Sequence, residues 1–115
     1  MQDEIKVWLE DIEKAIAEIN DFLPKSTSFE EFEVDLKTRR AIERSIEIIG
    51  EAMSRILKIS PEIGISDSRK IVDTRNRIIH GYDKISADII WLIVERYIPI
   101  LEFEITSIRR NFDSI

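Results

Sequence analysis

From Ile5 onward the apolar residues recur in steps of three and four: Ile5, Trp8, Leu9, Ile12, Ile16, Ile19, Phe22 and Leu23. That spacing lays one stripe along a helix, so the pattern predicts a helix from about Asp3 to Leu23. Pro24 ends it, and the polar run Lys25-Ser26-Thr27-Ser28 connects it to the next element. Ser28 followed three residues later by Glu31 has the capping-box spacing, which predicts a helix start with Phe29, Phe32 and Leu36 on its apolar face. Asp35 marks a break or bend before a long second helix that reaches about Lys58.

That second helix carries two stripes. Ile42, Ile46, Ile49, Met53 and Ile56 form one, and the mostly smaller Ala41, Ser45, Ile48 and Ala52 form another beside it. Together they cover roughly half the circumference. Such a helix is either central in the bundle or shared with a second subunit. Ser60-Pro61-Glu62-Ile63-Gly64 is a turn. A third helix runs from about Ser66 to His80, capped by Ser66 or Asp67 and closed by Gly81. A fourth runs from Ser86 to about Phe112 with the stripe Ile89, Ile90, Ile93, Val94, Tyr97, Leu101, Ile105, Ile108 and Phe112. Pro99 lies inside it and should kink it. The fold class is all-α: an antiparallel bundle of four to five helices, in one domain over residues 1–115.

Composition narrows the chemistry. There is no cysteine and only one histidine, which leaves no thiolate site and no histidine-built zinc site. Glu47 and Glu51 sit one turn apart, but with Arg44 and Arg55 beside them they read as a solvated face rather than a metal site. No apolar run approaches the roughly 18 residues of a membrane span, and the acidic start Met1-Gln2-Asp3-Glu4 has no signal-peptide character, so no membrane and a cytoplasmic location are expected. The net charge of −6 disfavours a general polyanion coat. Its distribution changes the picture. Residues 67–80 hold Arg69, Lys70, Arg75 and Arg77 against Asp67 and Asp73, a local +2 on a body of −8.

The oddest feature lies in that basic segment. With Ile71 at the origin of a helical wheel, Ile78 falls at about 340° and Ile79 at about 80°, and Arg75 sits between them at about 40°. A cation in the middle of an apolar stripe is costly unless it is paired. A carboxylate of the second helix, Glu47 or Glu51, is a candidate partner. Asn76 and His80, at about 140° and 180°, are neighbours one turn apart on another face. They stand about 140° from Arg75 or less, so Arg75 and His80 can border one cleft without touching. Tyr82 follows just beyond the helix end.

The stretch Arg75-Asn76-Arg77-Ile78-Ile79-His80-Gly81-Tyr82 resembles the R-x4-H-x-Y signature of HepT-like toxins, helical ribonucleases of the HEPN superfamily. The segment Ile48-Ile49-Gly50-Glu51-Ala52 is similar to a second characteristic stretch of that family. The resemblance implies a homodimeric HEPN-like bundle with two copies of the motif lining a composite cleft. It implies the toxin of a type VII-like toxin–antitoxin pair that cleaves RNA, tRNA in some family members, with neither metal nor cofactor. It implies a partner, an MntA-type nucleotidyltransferase antitoxin, that adds AMP to the motif tyrosine, here Tyr82.

The residue types suit that chemistry. RNA carries its own nucleophile, the 2′-hydroxyl. Cleavage needs a group that moves protons near neutral pH, the role of His80, and a fixed cation for the phosphate charge, the role of Arg75. Asn76 would orient His80 or touch the phosphate. Arg77, Lys70 and Arg69 are candidate RNA-backbone contacts. Plainer readings stand beside these. A histidine at a helix end also complements the helix dipole. Arg75 can be structural, Tyr82 can pack over the core, and the remaining cations can be solvated charges. Trp8 and Trp91 read as core or interface residues. The alternative function is a non-catalytic HEPN-like module that docks a nucleotidyltransferase.

Overall fold

The computed structural model describes residues 2–80 and 86–113. All of its regular structure is helical: α1 (Gln2–Phe22), α2 (Phe29–Val34), α3 (Leu36–Ile59), α4 (Ser68–His80), α5 (Ala87–Leu92), a π-helical turn (Ile93–Tyr97) and α6 (Ile98–Asp113). The stripe of α1 is buried at Ile5, Leu9, Ile12, Ile16, Ile19 and Leu23. Phe22, which the periodicity placed in that stripe, lies exposed on the last turn.

The break between α2 and α3 is built by side-chain caps. Ser28 Oγ accepts from Glu31 N–H at 3.1 Å, and Glu31 Oε1 accepts from Ser28 N–H at 2.9 Å, so the capping box is complete. Asp35 closes α2 and opens α3, with its carboxylate accepting from Thr38 N–H at 3.1 Å and from Thr38 Oγ1 at 2.6 Å. These bonds to Thr38 hold the Asp35 carboxyl below its ordinary range.

The breadth of the apolar face on α3 has a direct cause: α3 is central, packed by α1 on one side and α4 on the other. Ile42, Ile46, Ile49, Met53 and Ile56 are all buried, and Ser45 and Ala52 of the second stripe are buried with them. Glu43 is also buried, its carboxylate taking a bond from Arg40 at 3.0 Å. On the far side, Trp91 of α5 packs edge-on against Phe29 at 5.6 Å and tilted against Phe32 at 5.4 Å, which seats α2 on the core.

Two boundaries differ from the periodic reading. α4 begins at Ser68, because Ser66 is drawn to α6: its N–H and hydroxyl both donate to Glu104, at 3.2 and 2.9 Å. Asp67 takes a left-handed φ of 57°, and its carbonyl receives the Ile71 N–H at 3.2 Å. The long last helix is not simply kinked at Pro99. The ring of Pro99 would crowd the carbonyl four residues earlier in a regular helix. The chain widens instead, and Ile98 N–H reaches back five residues to Ile93 O. Buried positions accordingly step by five, from Ile93 to Ile98, before returning to Leu101 and Ile105. Tyr97, assigned to the stripe by a straight-helix wheel, is only half-buried. No helix is long and apolar enough to cross a membrane among the described residues.

Removing the centre of this core should be costly. Ile46→Ala is expected to lower unfolding free energy by about 2–5 kcal/mol, read as a fall in the urea midpoint with unchanged slope. Asp35→Ala should cost stability at neutral pH. That difference should fade as acid protonates the parent's Asp35 through its lowered pKa, because a depressed carboxyl stabilises only above that range.

Candidate active site

The site begins where α4 meets α3 at a glycine. A β-carbon built on Gly50 would lie 2.3 Å from Arg75 Cβ and 2.7 Å from Arg75 Cγ, with Ile71 O at 3.4 Å. The two helices therefore touch without an intervening side chain, and the stem of Arg75 runs across the bare backbone of Gly50. Ile71, Val72 and Thr74 of α4 are buried, with Thr74 Oγ1 turned back onto Lys70 O at 2.8 Å.

The misplaced cation is paired. Arg75 Nη2 donates to Glu51 Oε2 in a short contact, and Arg75 Nη1 donates to Asn76 Oδ1 at 2.8 Å. The Arg75 side chain is 24% exposed, with its stem against Gly50 and its length forming part of the groove wall. Glu51 is shared: its other oxygen, Oε1, takes Arg55 Nε at 3.2 Å and Arg55 Nη2 at 3.1 Å. Of the two carboxylates proposed as partners from the sequence, Glu51 is the one used. Glu47 stands 4.0 Å from Arg44.

These groups line an open groove of about 440 Å³ between α1, α3 and α4, with Trp8, Ile48, Ala52 and Ile79 as its apolar wall. Asp11, Glu47 and Glu51 oppose Arg44, Arg55 and Arg75 there, so the groove is charge-balanced. No group of three or more acidic or histidine side chains suited to a metal ion occurs among the described residues.

The other predicted site residues are more dispersed. His80 is exposed at the end of α4 and is not among the described residues lining the groove, whose α4 wall is Arg75 and Ile79. Asn76 is half-buried, and its side-chain oxygen serves Arg75. Arg69 and Arg77 are exposed. Lys70 lies over the Tyr97 ring, 5.2 Å from its centroid, and hydrogen bonding to Tyr97 raises its pKa. Gly81 and Tyr82 lie outside the described residues. Sequence reasoning underrated Arg55, which it treated as relief for neighbouring carboxylates. The signal was present in the spacing, since Glu51 and Arg55 are one turn apart on the helix that also carries Gly50.

The family model described as Ribonuclease HepT-like matches residues 12–108. The chain belongs to the HepT-like ribonuclease family. Relatives include a Thermococcus cleftensis protein named "Probable ribonuclease HepT", 35% identical over 91% of this chain and 96% of its own length. A Methanocaldococcus jannaschii protein named provisionally as an RNase is 33% identical over 84% of this chain and 79% of its own. A Caldanaerobacter subterraneus protein named in the same way is 36% identical over 73% and 76%. No solved structure matches. The match of this HepT-like chain takes in both α3 and α4, and so both partners of the Gly50–Arg75 contact.

That contact gives a direct test. Gly50→Ala must push α4 off α3 or displace the Arg75 stem. It should cost about 1–3 kcal/mol, although alanine is the better helix former by about 1 kcal/mol on an open surface. Chemical denaturation of Gly50→Ala beside an exposed-site control checks it.

Proposed function

We propose that this HepT-like protein is the toxin of a type VII-like toxin–antitoxin pair, an endoribonuclease of one domain that acts without metal. The observation that carries the reading is the Arg75 guanidinium, held at the wall of an open groove by a glycine contact and two polar partners, in a chain of a ribonuclease family. A pinned planar cation is what a phosphodiester transition state requires. The RNA 2′-oxygen attacks the adjacent phosphorus, its proton passes to a base, and the 5′-oxygen leaves with a proton from an acid. His80 is the side chain assigned to proton transfer. In the protomer it stands apart from the groove, which fits a homodimer in which each motif faces the partner's copy and the two imidazoles divide the acid and base roles. Arg77, Lys70 and Arg69 would meet flanking phosphates, and tRNA is the substrate class the family suggests.

Regulation follows from Tyr82. An MntA-type nucleotidyltransferase would present ATP to the phenol. The phenolic oxygen bonds to the α-phosphorus as its proton passes to a base of the nucleotidyltransferase or to water, and pyrophosphate leaves. The adduct adds bulk and negative charge where RNA would bind. The second reading, a non-catalytic module that docks the nucleotidyltransferase, is favoured by one observation: His80 lies outside the groove that Arg75 lines.

Purified protein should cleave total RNA in EDTA, and His80→Ala should lose at least about a hundredfold in rate, the usual scale of general acid–base catalysis. Equal cleavage by parent and variant would end the proposed mechanism. Cleavage by neither, with stable co-purification of a nucleotidyltransferase, would establish the docking module. Incubation with that enzyme and ATP should add AMP to the protein, and Tyr82→Phe should abolish the mass gain.

A further inference from the structure

We propose that Glu51 competes with the RNA phosphodiester for one pair of guanidinium groups, and that Arg55 joins Arg75 in holding the phosphate once Glu51 has moved aside. The proposal rests on the ribonuclease reading and assigns it a second phosphate ligand and a built-in competitor.

The geometry of the carboxylate is the starting point. Its two oxygens are engaged separately, Oε2 by Arg75 from α4 and Oε1 by Arg55 from α3. Arg55 approaches Oε1 through both Nε and Nη2, at 3.2 and 3.1 Å, so two of its nitrogens converge on one oxygen. A phosphodiester also offers two equivalent oxygens on one centre with a single negative charge. Two cations from different helices that converge on both oxygens of a carboxylate can converge in the same way on a phosphate.

The two sides of the pair differ in freedom. Arg75 is fixed, its stem against Gly50 and its head tied to Asn76. Glu51 is 43% exposed and Arg55 56% exposed, so both can turn. The cation at the centre is therefore rigid and its anion is replaceable. Exposed ion pairs one helical turn apart contribute little net stability, so the Glu51–Arg55 half of the arrangement offers little resistance to exchange. Charge balance acts in the same direction. With three acids facing three bases, the groove has no excess positive charge until one carboxylate withdraws. Local displacement of Glu51 thus turns a neutral groove into a cationic one, which reconciles an anionic substrate with an acidic protein.

The test uses the full chain and an oligoribonucleotide with 2′-O-methyl groups throughout, which cannot be cleaved. Glu51→Gln keeps shape and removes charge, and should bind this probe about fivefold more tightly than the parent at low salt. Arg55→Met keeps the apolar stem and should bind about fivefold more weakly, with the slope of log affinity against log salt reduced by about one contact. Thermal unfolding of both variants guards against misfolding, and Arg55→Lys, which keeps a charge, should keep most of the salt slope. A natively folded Glu51→Gln protein that binds equally or more weakly overturns the competition. An unchanged salt slope in Arg55→Met overturns the second ligand. A parent that binds no probe at any salt removes the ribonuclease reading itself, a result distinct from the other two.

Discussion

Everything at the site depends on one backbone-to-stem contact, the crossing of α3 and α4 at Gly50. A single methyl group there would occupy the space that Arg75 Cβ and Cγ fill. The missing side chain does two things together. It lets the helices approach closely enough for Ile71 and Val72 to enter the core, and it lays the arginine stem along a surface that cannot move. The charged head then emerges at the groove with its direction set by packing, before any ligand acts on it.

The contact also explains how a cation is tolerated in an apolar stripe. The wheel places Arg75 among core positions, and a buried guanidinium without a partner would be destabilising. The structure resolves the conflict by laying the stem on Gly50 and giving the guanidinium two acceptors, Glu51 and Asn76. Net charge misleads for the same reason. The acidic body describes the whole surface, whereas the groove is lined by three acids and three bases.

How much of this was legible in the sequence can be traced residue by residue. Capping at Ser28 and the break at Asp35 were legible because both depend on bonds three residues apart. The width of its apolar face marked α3 as either central or shared with a second subunit, its packing against α1 and α4 accounts for that width within the protomer, and Arg75 was marked by its wrong position on a wheel. The Gly50 contact was not legible as a contact, because periodicity records faces and not distances between helices. Of the two caps offered for α4, Ser66 is claimed by Glu104, thirty-eight residues away in the chain, and the first turn closes on the Asp67 carbonyl instead. Local capping rules cannot see such a competitor.

The wide turn before Pro99 shows how strongly backbone geometry can decide which side chains become surface. In an unbroken spiral Ile100 would share a face with Ile93, seven residues earlier, and Ile98 would drift toward the flank. One extra residue in the turn reverses their fates: Ile98 is sealed inside and Ile100 is 43% exposed. The outer skin of the C-terminal rod is thus written by a hitch in its winding. Winding the same residues as a regular helix would trade interior for exterior along the rest of its length, whereas trimming one residue from the hitch would relax the turn and leave both faces in place.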